Sequence, residues 1–143
     1  MMKMTENFKI MGSFIRDMSS ETVDTPTYIF AKDRISKYQL NIALNSKAVK
    51  DGIIEVNTII KFSDQPEILK KAYFEITYTS IVKVDEKVSD KKEMEKIILC
   101  DVPNKIYPNL ERIFLNLLTD SGYPGIKFEK KVDFTELYKQ KAN

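Results

Sequence analysis

The first half of the chain alternates apolar and polar residues with a period of two, which is the pattern of β-strands that bury one face. In "YQLNIALNS", Leu40, Ile42 and Leu44 point to one side, while their polar neighbours mostly point to the other. The first such stretch, "FKIMGSFIRDMSSE", fits strict alternation only in part, and it predicts an irregular or bulged strand. The four predicted strands span residues 8–21, 38–46, 53–64 and 68–86.

Short turn signals between these strands indicate an antiparallel sheet. The "DG" pair at 51–52 is a strong hairpin signal, and "SDQP" at 63–66 turns the chain again. Strands joined by such short turns pair as antiparallel neighbours, because a parallel pair needs a long crossover, and the four strands are therefore predicted to form an antiparallel meander. The segment "VDTPTYIFAKD" (23–33) contains Pro26 and is interpreted as a connection that carries aromatic residues.

The last third of the chain changes to a helical period after a charged segment at 85–96. Pro103 and Pro108 mark the entry to a long helix, and Pro108 is expected near its first turn. Gly122 suits the position just after a helix, and Pro124 prevents the helix from continuing. The apolar face of this helix consists of Leu110, Ile113, Phe114, Leu117 and Leu118.

A second, shorter helix is predicted in "KKVDFTELYKQK" near the end of the sequence. Asp133 can cap this helix, with Glu136 three residues further on. No repeat, linker or low-complexity segment divides the chain. The predicted fold is therefore a single α+β domain over residues 1–143, in which a four-stranded antiparallel sheet carries a long helix and a short C-terminal helix. The apolar stripe of the short helix consists of Phe134, Leu137 and Tyr138.

Two helices can cover only part of a four-stranded sheet, and several apolar residues lie off the main core faces. Loops can bury these residues, or they need a partner, which would be another subunit or an apolar client. The residues concerned are Ile59, Tyr73, Ile81, Leu115 and the aromatics of 28–30.

Charge and composition describe an ordinary soluble protein. The 143 residues include 23 basic and 21 acidic ones, for a net charge of +2. Lysines are interleaved with acids, as in "KVDEKVSDKKEMEK", which is a poor electrostatic footprint for nucleic acid. The N-terminus lacks a signal-peptide core, and no apolar run approaches a membrane span. The single cysteine, Cys100, rules out an internal disulfide and favours a cytoplasmic location.

The residues needed for many kinds of catalysis are missing. The sequence has no histidine, which excludes imidazole acid–base chemistry and histidine-containing metal sites. One cysteine cannot form a thiolate zinc site, and the four glycines form no phosphate-binding motif. Carboxylates and lysines remain as possible catalysts, but no cluster of them stands out. We therefore expect no enzyme, no metal and no cofactor.

Several motifs, in order along the chain, resemble the SecB family of cytosolic export chaperones and its SecB-like relatives. They are "FIRDMSSETVDTP" (14–26), "KAYFEI" (71–76), "VPNKIYPNLERI" (102–113), "SGYPGIKF" (121–128) and "VDFTELYKQ" (132–140). The resemblance implies the sheet and two helices described above, assembled as a homotetrameric dimer of dimers. It also implies a protein without enzymatic or nucleotide-binding activity that holds unfolded preproteins in long apolar grooves and passes them to the SecA motor.

The matched motifs suggest roles for individual residues, with the core of the chain or a solvated strand face as the alternative in each case. SecA contact is assigned by resemblance to Asp17, Glu21 and Glu75. Client binding is assigned to Tyr28, Phe30, Leu40, Ile42, Leu44 and Tyr78. Contacts between subunits are assigned to Leu110, Phe114, Leu115 and Leu118.

The sequence also departs from the export-linked members of the family, so the partner stays open. Those members are usually acidic and carry an extended polar tail, whereas this chain has a pI near 8.5 and ends at "YKQKAN". One alternative is a solitary SecB-like chaperone that stabilises the antitoxin of a toxin–antitoxin pair. Less favoured alternatives are a β protein with one closed pocket for a small molecule and a carboxylate-based enzyme.

Overall fold

Four strands form one antiparallel sheet, as the alternating sequence pattern predicts. The structure is a computed structural model that describes residues 7–128 and 132–142. Residues 1–6 lie outside the described residues, and they are most of the N-terminal stretch that lacks a signal-peptide core. Residues 130 and 131, the first two of "KKVDFTELYKQK", also lie outside the described residues. The strands are β1 (Phe8–Glu21), β2 (Gln39–Lys50), β3 (Ile53–Ser63) and β4 (Tyr73–Val84), in the sheet order β1-β4-β3-β2. The predicted meander holds for β2, β3 and β4 but is wrong for β1, which pairs with β4 because a long connection, and not a short turn, separates it from β2.

The first strand is bulged, which explains its imperfect alternation. Along β1 the register shifts between Ile10 and Gly12 and again between Ile15 and Asp17, where Met11 and Arg16 are the extra residues. Each extra residue reverses which side chains point to the core side. The predicted irregular strand is confirmed.

A helix replaces the predicted connection at 23–33. This helix, α1 (Thr25–Arg34), begins after Asp24, whose side chain accepts a hydrogen bond of 2.8 Å from the amide of Thr27. Asp24 followed by Pro26 is a helix-start signal, but the helix carries no clear apolar stripe and so escapes detection by periodicity. The interpretation of this segment as a connection is wrong.

The long helix begins earlier than the sequence suggested. Helix α2 (Lys91–Lys96) lies within the charged segment, and a π-helical turn (Ile97–Asp101) joins it to α3 (Val102–Asp120). Pro103 lies in the first turn of α3, whereas Pro108 lies inside the helix rather than near its start. The predicted C-terminal helix is confirmed as α4 (Phe134–Ala142).

Helix α3 packs on one face of the sheet and forms the main core with it. Phe62 of β3 lies at the centre, with its ring centroid 6.2 Å from that of Phe74 and 5.9 Å from that of Phe114. Apolar residues of β3 and β4 point into this core, and others of the same two strands form a second buried cluster around Val56 and Val82. The fully buried members of the main core include Ile60, Phe74, Ile76, Leu110, Phe114, Leu118 and Tyr123.

A tight turn after α3 fixes the direction of the following segment. Gly122 has φ +103°, and a Cβ at this position would lie 2.9 Å from Cε1 of Tyr28. The Tyr28 hydroxyl donates a hydrogen bond of 2.8 Å to the Gly122 carbonyl. The helix ends at Asp120 and Gly122 follows it, as predicted. Only a residue without a side chain fits both the dihedral angle and the contact at this position.

A buried ion pair ties the end of α1 to the turn after β3. Nε and Nη2 of Arg34 donate hydrogen bonds of 2.7 and 3.0 Å to the Asp64 carboxylate, whose side chain is 0% exposed. The guanidinium of Arg34 holds the pKa of Asp64 below its usual value. The ion pair therefore favours the ionised carboxylate in the folded protein.

We expect this ion pair to make the folded state sensitive to acid. Because the pKa of Asp64 is lower in the folded state, the stabilisation is complete above the unfolded value of about 3.9. It is lost as the pH falls through the folded value. Urea midpoints measured from pH 7 to pH 2 for the parent and for Asp64→Asn test this expectation. At pH 7 the midpoint should be lower for Asp64→Asn, and the two curves of midpoint against pH should converge in acid. A difference that stays constant with pH would contradict the assignment.

Candidate functional site

A concave surface runs along the edge strand β2. Its widest part has a volume of about 950 Å³ and lies between β2 and the segment 124–128. Two further hollows, of about 300 and 480 Å³, continue between β2 and α4. Together these hollows form an elongated groove, which we call the β2 groove.

The floor of the β2 groove is formed by three residues of β2 that point to the core side of the sheet. Leu40, Ile42 and Leu44 pair with Phe62, Ile60 and Thr58 of β3 and are half-buried. Ile42 lines both of the hollows next to α4. The structure thus brings together three of the predicted client-binding residues on one surface.

The opposite wall of the groove comes from α4 and from the segments on either side of it. Leu137 of α4 is 47% exposed and lines both hollows, and Tyr138 lines one of them. Ile126, Phe128 and Val132 line the widest part. Sequence reasoning identified the apolar stripe of α4 but not its position opposite β2, because periodicity does not reveal which elements face each other.

The outer edge of β2 adds hydrogen-bonding capacity to this apolar surface. β2 is the last strand in the sheet order, and within residues 7–128 and 132–142 no further strand pairs with it. The backbone amides and carbonyls along such an edge can pair with an extended peptide, while side-chain hollows accept alternate residues. The groove therefore suits an extended apolar polypeptide.

The other three predicted client-binding residues lie elsewhere. Tyr78 is 6% exposed, and its hydroxyl accepts a hydrogen bond of 3.1 Å from Nδ2 of Asn109, so it is part of the core. Tyr28 is half-buried against Tyr123, with ring centroids 5.3 Å apart. Phe30 is 41% exposed on α1, where the Arg34 guanidinium lies 5.9 Å from its ring centroid.

No group of three or more aspartate, glutamate or cysteine residues is arranged to hold a metal ion within the described part of the chain. In the same residues, no helix is long and apolar enough to cross a membrane.

Comparison with protein families decides what kind of protein carries this groove. The family described as "Preprotein translocase subunit SecB" matches residues 2–143. The chain belongs to the SecB family. Members of the SecB family are chaperones of Sec-dependent protein export rather than enzymes, so the predicted role as a chaperone of protein export is confirmed.

Individual relatives agree with this assignment. The chain is 87% identical over 140 residues to the putative protein-export protein SecB of Pelagibacter ubique, covering 98% of this chain and 100% of that protein. It is 29% identical over 136 residues to the protein-export protein SecB of Roseobacter denitrificans, covering 92% and 78% of the two chains.

A solved structure shares the fold. It is a SecB-like chaperone of Mycobacterium tuberculosis in complex with a ChAD peptide from the HigA1 antitoxin. The TM-score is 0.68 at 11% identity, covering 88% of this chain and 91% of that chain. This likeness concerns the SecB-like fold.

The three acids that the SecB resemblance assigned to SecA contact lie on one face of the sheet. Asp17 pairs with Thr77 and Glu21 with Tyr73, which places both on the face opposite α3, together with Glu75. Asp17 and Glu21 are exposed, whereas Glu75 is half-buried, and its Oε1 lies 3.5 Å from Nζ of Lys61. The acids form a group, and Lys61 lies beside one of them.

Most of the helix residues assigned to SecB subunit contacts are inside the chain itself. Leu110, Phe114 and Leu118 are each 0% exposed, and they contact the sheet. They therefore have no free surface for another subunit, which corresponds to the alternative of an intrachain core. Leu115 is half-buried and keeps some surface.

The edge strand β1 exposes large apolar side chains on both faces of the sheet, since Phe14 pairs with Thr79 and Ile15 with Tyr78. The four residues all lie on β1, whose outer edge has no neighbouring strand within the described residues. Sequence reasoning missed this surface, because the two bulges obscure which side of the strand each residue faces. The residues are Met11, Phe14, Ile15 and Met18, with exposures between 41% and 55%.

Proposed function

We propose that the chain is an ATP-independent holdase that keeps unfolded preproteins competent for Sec-dependent export by binding them in the β2 groove. The observation that carries this proposal is the coincidence of an apolar groove with a free strand edge on the same element. An extended client can pair with the backbone of β2, and its alternate side chains can fill the hollows beside Ile42 and Leu137.

The energetics of such a groove suit a protein that must hold many different sequences. Each apolar client side chain that is fully buried contributes roughly 1.5–3 kcal/mol. Several such contacts on one assembly add avidity through effective concentration. Backbone pairing carries no sequence preference, so it extends the range of clients. Release requires no nucleotide, because a client that has folded or been transferred no longer takes part in the binding equilibrium.

The direct experiment is a light-scattering assay in which a chemically unfolded apolar client is diluted into buffer with and without the chain. We expect the chain to suppress aggregation at near-stoichiometric concentration without ATP. A client that aggregates equally fast in both samples would refute the proposed holding function.

We propose that the acidic group on the outer sheet face contacts SecA, in a cytoplasmic location. The observation in support is that Asp17, Glu21 and Glu75 share one surface away from the β2 groove, so a client and a motor can bind together. Carboxylates on an accessible face steer a basic partner and raise its association rate.

Reversing these charges should therefore weaken SecA binding. In the triple variant Asp17→Lys, Glu21→Lys and Glu75→Lys, we expect the affinity to fall by about tenfold or more at low salt and by less at high salt. Surface plasmon resonance at two ionic strengths measures both effects. A matched control reverses exposed acids elsewhere, at Glu86, Glu95 and Asp120, and changes the net charge by the same amount. Equal affinities in the two triple variants would contradict the assignment.

We also propose that the chains assemble as a dimer of dimers. Support comes from β1, which combines a free edge with exposed apolar side chains, a combination that soluble monomers usually avoid. Leu115 remains a second candidate contact, because it keeps some surface on α3. Native mass spectrometry should give four times the chain mass of 16.6 kDa. A monomer at micromolar concentration would contradict this proposal.

An antitoxin is the second candidate client, because a chaperone with the same fold has been solved with an antitoxin peptide. The β2 groove would bind such a peptide in the same way, so the two candidates differ in partner and not in mechanism. Affinity purification from the native organism separates them. Recovery of SecA and preproteins supports export, whereas recovery of a small antitoxin supports the alternative.

A further inference from the structure

The face of the sheet opposite α3 carries a closed network of side-chain hydrogen bonds. Nε of Arg16 donates to Oγ1 of Thr79 at 2.9 Å, and the Thr79 hydroxyl donates to Oδ1 of Asn57 at 2.6 Å. Nδ2 of Asn57 donates to one carboxylate oxygen of Glu55 at 2.9 Å, and Nη2 of Arg16 donates to the other at 2.7 Å. We call these four side chains the Arg16 network. They connect β1 to β3 across the strand between them, β4.

The inner members of the Arg16 network are buried, although they are polar and lie away from the main core. Thr79 is 0% exposed and Asn57 is 8% exposed. Asn57 also donates to Oδ1 of Asn45 on β2 at 2.8 Å, so the hydrogen bonds reach all four strands. Buried polar groups of this kind are stable when they are hydrogen-bonded. Loss of one member therefore leaves a buried neighbour without its partner, which destabilises the arrangement.

Arg16 belongs to this network because it is the extra residue of the second bulge in β1. The register with β4 shifts between Ile15 and Asp17, so Arg16 has no directly opposite residue on β4. An extra residue in a strand is left out of the regular ladder and bends the strand. The side chain of Arg16 supplies the connection to β3 and β4 that the ladder does not give at this point.

The same bulge decides on which face of the sheet two acids lie. In the observed register Asp17 is opposite Thr77, on the face that carries the Arg16 network. A register without the extra residue would place Asp17 opposite Ile76, a core residue, because a slip of one residue moves every side chain to the other face. Glu21 would change faces in the same way. The acidic group therefore depends on the bulge for two of its three members.

We propose that Arg16 is a positioning residue for the acidic group. The Arg16 network holds the second bulge of β1, and the bulge keeps Asp17 and Glu21 on the same face as Glu75. Arg16 acts through these acids, since its guanidinium is bonded to Thr79 and Glu55. This inference rests on the proposed contact of the acidic group with SecA.

Charge and position predict opposite results for the loss of Arg16. On charge alone, removal of a cation beside Asp17 would strengthen binding to a partner that the acids attract. If the guanidinium holds the bulge, the same change weakens binding. For Arg16→Met we expect about fivefold weaker SecA binding, as when about one molecule in five keeps the bulged register. Surface plasmon resonance at low salt gives the sign and the size of the change.

Thr79→Val tests the network without changing any charge. Thr79 is 0% exposed and so cannot touch SecA, and valine lacks only its hydroxyl. We expect about fivefold weaker SecA binding in Thr79→Val and parent-like binding in Thr79→Ser, which keeps the hydroxyl. The matched control is Ser80→Ala on the same strand. It removes a hydroxyl that lies 3.0 Å from the hydroxyl of Ser13 on β1 but leaves the Arg16 network intact, so SecA binding should equal that of the parent.

Nuclear Overhauser effects between backbone protons report the register directly, without SecA. The parent and Thr79→Ser should show Asp17 close to Thr77, whereas Arg16→Met and Thr79→Val should also show Asp17 close to Ile76. The parent register in both of these variants, or parent-like SecA binding in Thr79→Val, would overturn the proposal.

Client binding separates the positioning role from a general loss of stability. The β2 groove lies on the other face of the sheet, so Arg16→Met and Thr79→Val should bind an unfolded client as the parent does. Equal losses of client binding and SecA binding would overturn the positioning role. A parent chain that does not bind SecA would instead refute the proposed contact, and the register measurement would still test whether Arg16 holds the bulge.

Discussion

Ile42→Asp is expected to weaken client binding by about 10–100-fold, which corresponds to the loss of one buried aliphatic side chain from the interface. Ile42 lines both hollows between β2 and α4, so its side chain meets any client that follows the groove. A carboxylate at this position also has to lose its water when an apolar client binds. Titration of an unfolded, fluorescently labelled client measures the change.

The control for Ile42→Asp is Ala48→Asp, on the same strand. Ala48 is exposed and lies outside the groove, so the client affinity of this variant should equal that of the parent. Leu137→Asp offers a second test from the opposite wall, because Leu137 is 47% exposed and its replacement leaves the core intact. Parent-like affinity in both groove variants would exclude the β2 groove as the client site.

Phe114→Ala should lower the free energy of unfolding by about 3–5 kcal/mol, the usual cost of removing a fully buried aromatic ring. The Phe114 ring lies edge-on to that of Phe62 at 5.9 Å and is stacked with that of Phe128 at 6.1 Å. Its removal leaves a cavity between α3 and the sheet. Urea denaturation at a fixed protein concentration measures the loss, since assembly would make the midpoint depend on concentration.

Leu69→Ala is the matched control for Phe114→Ala. Leu69 is 92% exposed, so this variant should differ from the parent by no more than about 0.5 kcal/mol. A loss below about 1 kcal/mol in Phe114→Ala would contradict its place in the core. Such a result would reopen the assignment of this residue to a contact between subunits.

The sheet was predictable because alternation of apolar residues is a direct consequence of strand geometry. Leu40, Ile42 and Leu44 share one side simply because successive residues of a strand point in opposite directions. Helix α1 was not predictable from periodicity, since it has no apolar stripe, and its start is encoded in a single cap, Asp24. Local capping chemistry determined the structure there.

The candidate site was predictable only in part, for a different reason. Alternation assigns a residue to a face of a strand, but it does not say whether another element covers that face. Tyr78 and Ile42 both point to the core side of the sheet, yet α3 covers Tyr78, whereas Ile42 opens into the groove. The same limit applies to Leu110, Phe114 and Leu118, because an apolar helix stripe can pack on its own sheet or on another subunit.

The pairing of the first strand with the last has a consequence for synthesis on the ribosome. Phe8 pairs with Val84, so β1 cannot enter the sheet until residue 84 has been made and has left the exit tunnel. At about 5–20 residues per second, β1 waits roughly 4–15 s for its partner. Throughout that interval the Phe8 side chain, which is only 6% exposed in the folded protein, has no sheet to pack on. A nascent chain of this protein therefore passes through an aggregation-prone stage of the kind from which it protects its clients.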